Sequence, residues 1–264
     1  MNEIVDWDSH WESFDELTSL NPGQIYRHEL ILRELNISTT DRVLDIGSGQ
    51  GDLIQRMLER EASATFVGLE QSEVGIQLAK RKVPLVRFIS CDLRIAQSIP
   101  DLYGWATKAV CSEVLEHCEE PVTLLKNSIR FIEGGATIVV TVPAGPRTKF
   151  DVSIGHLRHY SRDLLHDTLC AAGLEVKEIQ AAGFPFFNLY RVLILAMGTK
   201  VSSLNRGARR SRLQSGFFKI LLKTFQKLML LNFSDSRLGW QLVAVAKVPV
   251  LMRPESENRF WESV

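Results

Sequence analysis

The sequence is poor in the features that mark exported, membrane-spanning or disulfide-built chains. It has 4 cysteines in 264 residues (Cys91, Cys111, Cys118 and Cys170), and none stands in a CxxC pair. That count and spacing argue against a disulfide framework and a cysteine-ligated zinc site, and no metal is expected. No uninterrupted apolar stretch reaches the roughly 18 residues that a spanning helix needs. Residues 1–20 carry six acids and no Lys or Arg, the reverse of the basic start of an export signal. A cytoplasmic chain, at most attached to a membrane surface, is therefore expected. Net charge is also absent, since 31 Lys+Arg balance 31 Asp+Glu, which argues against a wholesale nucleic-acid binder. Repeats and low-complexity tracts are missing too, while 45% hydrophobic residues suffice for a large core.

What is present is a regular alternation. Residues 43–46, 65–69, 86–89, 108–111 and 136–142 read as short buried strands. Helical patterns over 52–60, over 72–82 with Ser72 as N-cap, and from Pro121 onward separate them. Residues 174–179 and 241–247 supply two more strands. The expected fold is α/β: a Rossmann-like, seven-stranded, mostly parallel sheet with helices on both faces. Before it, Trp7, Trp11 and Phe14 share helical spacing, and 25–35 is helical again after Asn21-Pro22-Gly23.

The first strand runs into Gly47-Ser48-Gly49-Gln50-Gly51 and then a helix. Glycines let the backbone approach a ligand, and free N–H groups at the helix start face it. The spacing is G-x-G-x-G, with Asp52 where a dinucleotide site would need its third glycine. An acid there disfavours a pyrophosphate, so a nicotinamide-dependent dehydrogenase is a poor reading. Asp45 adds a carboxylate beside the loop, which favours a ligand carrying an ammonium or sulfonium. Glu70 ends the second strand and can accept both hydroxyls of an adenosine ribose. Asp92 ends the third and can accept from an adenine amino group. All three acids fall at the carboxyl edge of one sheet, where open α/β sheets bind ligands.

On these residues the chain resembles the class I S-adenosylmethionine-dependent methyltransferases of the small-molecule type. The stretch from Val43 to Gly51 is similar to that family's first motif. Ser112-Glu113-Val114-Leu115-Glu116-His117 is similar to the segment after its fourth strand, and Gly134-Gly135 and Pro143 also match. The resemblance implies bound S-adenosyl-L-methionine. It places Gly47, Gly49 and Gly51 at the methionyl part, Glu70 at the ribose, Asp92 and Leu93 at the adenine, and Glu113 in the pocket wall.

Methyl transfer demands alignment of nucleophile, methyl carbon and sulfur in a dry site, and an unactivated hydroxyl benefits from a general base. The candidates follow the fifth strand. His156 and His159 are the expected bases, Asp151 a residue to orient one of them, and Arg158 a partner for an anion. Ser161 reads as the N-cap of the next helix and Tyr160 as a packing residue, while His117 reads as capping or packing the helix before Pro121.

Residues 184–236 interrupt the core, formed by 1–183 (with 1–40 as part of a cap) and 237–250, and 251–264 form a tail. The insertion holds nine Lys or Arg and no acid before Asp235, whereas residues 1–183 hold 27 acids against 18 bases. It is also greasy. Residues 186–197 are apolar except for Asn188 and Arg191, and 217–231 carries Lys219, Lys223 and Lys227 on one stripe. A helical lid over a hydrophobic acceptor fits, as do peripheral membrane contact and a homodimer contact through 184–231. Residues 207–215 read as a mobile loop. Nucleic acid is not an expected partner.

The expected activity is transfer of a methyl group to a small, lipophilic acceptor at a hydroxyl or carboxyl oxygen, in natural-product, lipid or lipid-linked sugar biosynthesis. The alternatives are N- or C-methylation, or a non-catalytic module that docks through the insertion.

Overall fold

The computed structural model describes residues 7–12, 21–197 and 222–250. Its strands are β1 (Arg42–Ile46), β2 (Thr65–Glu70), β3 (Arg87–Ser90), β4 (Ala106–Ser112), β5 (Ile132–Pro143), β6 (Glu175–Ala182) and β7 (Gln241–Lys247). They form one seven-stranded sheet in the order β3-β2-β1-β4-β5-β7-β6. Pairing is parallel from β3 to β5, and β7 runs antiparallel between β5 and β6. The mostly parallel sheet expected from the alternation is what forms, with β7 as the one reversed strand.

The helices are α1 (Trp7–Glu12), α2 (Pro22–Leu35), α3 (Asp52–Arg60), α4 (Glu73–Lys82), α5 (Pro121–Ile129), α6 (Lys149–Ser153), α7 (Arg162–Ala171) and α8 (Phe186–Met197). Residues 222–229 are also helical. Local chemistry sets their ends. The Asn21 side chain accepts from the Gly23 N–H at 2.9 Å and Pro22 takes the first turn of α2, where a missing N–H costs nothing. Ser72 caps α4 and Ser161 caps α7, as their positions predicted. Asn36 ends α2 in the left-handed conformation (φ 45°).

Alternation along each strand feeds two apolar layers. Leu44, Ile46, Ala109, Cys111, Ile138 and Val140 pack on one face of the sheet with Leu125, Phe131 and Leu165. Val43, Val110 and Val139 pack on the other with Ile31, Leu35, Ile54 and Met57. Because both faces are covered, the carboxyl edge of the parallel strands is left to receive a ligand.

Two features were not visible in the sequence. The short helix α6 is fixed by a capping box in which Thr148 and Asp151 bond one another reciprocally. In addition, the reversed β7 sets its first residue, Gln241, opposite Pro143 at the end of β5, so Gln241 joins the carboxyl edge. Phe14, the 207–215 loop, Lys219 and the 251–264 tail lie outside the described residues.

Gly239 leads the chain into β7 beside β6, and a Cβ there would stand 2.2 Å from the Ala181 carbonyl oxygen. Backbone on both sides leaves nothing flexible to yield. Gly239→Ala should therefore destabilise the protein by about 2–3 kcal/mol, measured as a lower midpoint in urea at unchanged slope.

Candidate active site

A cavity of about 750 Å³ opens along the carboxyl edge of β1–β5. Strand order fixes how its wall is laid out. Asp92, Glu70 and Asp45 follow or end β3, β2 and β1 on one side, and Glu113 follows β4 toward the centre. His156 arrives from the segment after β5, and Phe187, Tyr190, Arg191 and Ile194 of α8 and Leu222 contribute apolar and basic wall.

The glycine loop is built as its sequence demands. Gly47, Gly49 and Gly51 have φ of 74°, 52° and 78°, values a side chain would strain. Gly51 is the N-terminal cap of α3, so the loop delivers the chain directly to a helix start. A Cβ on Gly49 would lie 2.7 Å from the Trp11 indole, which shows how closely α1 covers the loop. Asp8 of α1 accepts from the Ser72 hydroxyl at 2.5 Å, and Trp7 meets His117 edge-on at 4.8 Å. The helix expected around Trp7 and Trp11 is thus a cover across the edge of the sheet.

Glu70 and Asp45 dominate the field here. Glu70 accepts the Gly49 N–H at 2.8 Å and the Ser72 N–H at 2.9 Å. A carboxylate offers roughly four lone-pair positions, so about two remain for a ligand's hydroxyls. Burial raises the Glu70 pKa, while these amide bonds oppose the shift. Asp45 is buried, and its Oδ2 has no hydrogen-bond partner among the described residues. Burial, and then the nearby Glu70, push its pKa up to about 7. Two neighbouring acids, one with an orphaned oxygen and neither paired with a cation among the described residues, suit a ligand that brings positive charge. The buried Ser48 hydroxyl, also unpartnered among the described residues, adds a donor and acceptor.

Two sequence arguments need correction. Asp52 does not present a bare charge to the loop, because Lys82 forms an ion pair with it and Gln24 Nε2 donates to it at 3.3 Å. The case against a pyrophosphate therefore rests on Asp45 and Glu70. Asp92 lines the cavity with Leu93, but Arg94 holds both its oxygens at 2.9 Å. That grip outweighs partial burial and keeps the Asp92 pKa below the usual carboxylate range.

Around β4 and β5 the pattern changes to tightly paired groups. Glu113 sits at φ 57°, a conformation rare outside glycine, and three partners hold it there. Arg27 of α2 pairs with its Oε2 at 3.1 Å, Gln241 Nε2 donates to Oε1 at 2.9 Å, and the Thr141 hydroxyl donates at 3.3 Å. Burial would raise its pKa, but Arg27 and Gln241 prevail and hold it low. Neither Arg27 nor Gln241 was identified from the sequence, because α2 precedes the motif region and β7 lies 128 residues beyond Glu113.

The histidines fall into two positions. His156 lines the cavity beside His117, their rings edge-on at 4.7 Å. His117 therefore faces the site as well, a position not expected of it from the sequence. His159 lies behind His156, its Nε2 3.1 Å from His156 Nδ1 and its Nδ1 3.1 Å from the Gly145 carbonyl. A carbonyl only accepts, so His159 carries its proton on Nδ1 and accepts at Nε2. His156 then donates from Nδ1 and keeps its lone pair on Nε2. Burial, followed by His117, lowers the His156 pKa to about 3, and burial also lowers that of His159. A neutral imidazole of such low basicity is a weak proton acceptor at pH 7.

Asp151 lies 3.7 Å from His159 Nε2, but its closer partners are Thr148 at 2.7 Å and Arg191 at 2.7 Å. Arg158 caps the Glu119 carbonyl at 3.0 Å. Tyr160 is packed in the core, as expected.

A model described as a methyltransferase domain matches residues 24–179, which includes β1 through most of β6 and every cavity acid named above. The chain belongs to this methyltransferase family. Its members use S-adenosylmethionine as methyl donor, and the cation-seeking acids beside a glycine loop fit that group. A ubiquinone biosynthesis O-methyltransferase of Pseudomonas fluorescens (strain SBW25) is 28% identical over 156 residues, 56% of this chain and 62% of the relative. One from Nitrosomonas europaea is 29% identical over the same length, with the same shares. The chain thus spans about three fifths of the length of these relatives. Among solved structures, the cyclase SpnF superposes with a TM-score of 0.60 at 17% identity, over 85% of this chain and 81% of that one. That likeness supports the methyltransferase fold alone.

In the free protein the raised Asp45 pKa means that the neutral carboxyl is favoured. Its stabilising contribution is complete below about pH 4 and lost as pH rises through about 7. Asp45→Asn should remove that loss, so the variant gains on the wild type by a few kcal/mol between pH 5 and pH 8, at ~1.4 kcal/mol per pKa unit. Thermal unfolding of ligand-free protein at both pH values measures it.

Proposed function

We propose that this chain transfers a methyl group from S-adenosylmethionine to a hydroxyl oxygen of a small, lipophilic molecule. The buried pair of Asp45 and Glu70, two acids without a cation partner among the described residues at the head of a glycine loop, carries the reading. When bound, the donor supplies an electrophilic methyl group on a sulfonium. Asp45 and Glu70 would balance its charge, with Glu70 also accepting from the ribose hydroxyls. Gly47, Gly49 and Gly51 would allow the close backbone approach, Asp92 and Leu93 would border the adenine, and Glu113, held by Arg27 and Gln241, would wall the pocket between donor and acceptor.

The acceptor's chemistry is read from the remaining wall. Phe150, Ile154, Phe187, Tyr190, Ile194 and Leu222 offer apolar surface, whereas Glu116, His117 and His156 gather polar atoms at one place. A molecule with an apolar body and a polar reacting group suits that division. The relatives named ubiquinone biosynthesis O-methyltransferases favour oxygen as the methylated atom. His156 stands at the reacting end, with His159 positioning it from behind.

The insertion also exposes apolar side chains outward: Leu189, Val192 and Leu193 on α8, and Leu230, Leu231 and Phe233 beyond the helix at 222–229. Lys223 and Lys227 are exposed beside them. Apolar surface edged with lysine supports collection of the acceptor from an anionic membrane surface. No helix among the described residues is long and apolar enough to cross a membrane.

Calorimetric titration with S-adenosylmethionine should give one site per chain, and Glu70→Ala should weaken it by about 1.5–3 kcal/mol, roughly ten- to a hundredfold. A folded wild-type protein without binding heat would defeat the proposal. Vesicles containing phosphatidylserine should sediment the wild type and release a Lys223→Glu, Lys227→Glu double variant, whereas equal sedimentation would remove the membrane from the account.

A further inference from the structure

Two sets of metal-ligating side chains meet beside the cavity: Asp151 with His156 and His159, and Glu116 with His117 and His156. The first is closed by its own hydrogen bonds. Both Asp151 oxygens are taken, by Thr148 and Arg191, and His159 spends its proton on the Gly145 carbonyl and its lone pair on His156.

In the second set it is the carboxylate that is open. Glu116 is fully buried, and both carboxylate oxygens lack a hydrogen-bond partner among the described residues. Such an arrangement is costly unless something positive comes to it. His117 Nε2 stands 4.0 Å from Glu116 Oε1, and the Glu116, His117 and His156 ligand atoms lie within 4.8 Å of one another. The proton assignment above leaves the Nε2 lone pair of His156 available, with Nδ1–H donated to His159. That is the outer hydrogen bond which orients metal-bound imidazoles. The Leu157 N–H bonds the Glu116 carbonyl at 2.7 Å, tying the segment that carries His156 to the turn that carries Glu116 and His117. Glu113 is no competitor for an ion, because Arg27, Gln241 and Thr141 already occupy it.

We propose that Glu116, His117 and His156 bind one divalent transition-metal ion of the zinc, cobalt or manganese class, with an open coordination position toward the cavity. Two imidazoles and one carboxylate are a donor set of that class, and three protein ligands leave room for a further one. Together with the function proposed above, and resting on it for this point alone, the further ligand is the acceptor's hydroxyl oxygen. Coordination there lowers the hydroxyl's pKa, its proton leaves to water, and the oxygen becomes a better nucleophile without a basic side chain. This assignment reverses the expectation of no metal.

The test uses the full chain, untagged and dialysed against chelator, titrated with Co²⁺ and followed by visible absorption and calorimetry. One equivalent should bind with the ligand-field bands of a nitrogen and oxygen site, and Glu116→Gln should weaken Co²⁺ at least tenfold while S-adenosylmethionine still binds. Should Glu116→Gln fail to fold, His156→Ala should show the same loss. Absence of stoichiometric Co²⁺ binding by the folded wild type, or variants that bind Co²⁺ as it does, would overturn the assignment. Methylation that persists in chelator would sink the metal and spare the transferase, whereas Co²⁺ binding without S-adenosylmethionine binding would do the opposite.

Discussion

Asp45 and Glu70 share a buried corner at the tips of adjacent strands, and no basic side chain among the described residues is paired with either. Burial makes ionisation of both costly, and proximity makes it costlier. Glu70 is relieved in part by two backbone amides, which are available because the glycine loop turns its N–H groups inward. Asp45 has no such relief at Oδ2 among the described residues. The site is therefore less stable empty than a neutral equivalent would be, a common condition of residues kept for binding. The left-handed glycines, the helix start at Gly51 and the cover provided by α1 all serve this corner.

Across β4 and β5 the same physical problem is solved differently. Glu113 is held in a strained backbone conformation, but its charge meets Arg27 and its oxygens meet Gln241 and Thr141, so it forms a rigid partition. Glu116, three residues on, has no such partners among the described residues. One turn of chain thus carries a satisfied carboxylate and an unsatisfied one, facing different neighbours in one cavity. The histidines extend the contrast. His159 is committed to a carbonyl, and this commitment fixes which nitrogen of His156 is free.

The insertion shows how few polar groups can decide the placement of a greasy helix. Asn188 and Arg191 are the only breaks in the apolar run of α8. Asn188 donates to the Leu238 carbonyl at 2.6 Å and accepts from the Trp240 N–H at 3.2 Å. Arg191 reaches Asp151 at 2.7 Å. These bonds pin the first half of α8 to the core, while Tyr190 packs against Phe225 of the helix at 222–229. Apolar residues supply area without direction, and the two polar ones supply direction.

The alternation of strands and helices was legible because each element's apolar period is local, and caps such as Ser72 and Ser161 act within three residues. The residues at 186–197 gave α8 its full extent for the same reason. The acids at strand ends were also legible, since a parallel sheet brings consecutive strand tips to one edge whatever the sequence between them. Charge was not. The sequence offered Asp52 and Asp92 as free carboxylates, and folding gave them Lys82 and Arg94. It offered His117 as a packing residue and His159 as a base, and folding turned the first toward the cavity and set the second behind His156. The sequence alone determined the sheet, the glycine loop and the donor it invites, because these follow from local periodicity and backbone freedom. Which polar groups are spent on one another and which remain free was decided only by tertiary structure, because hydrogen-bond partners such as Glu113 and Gln241 are chosen across distances the chain order does not encode.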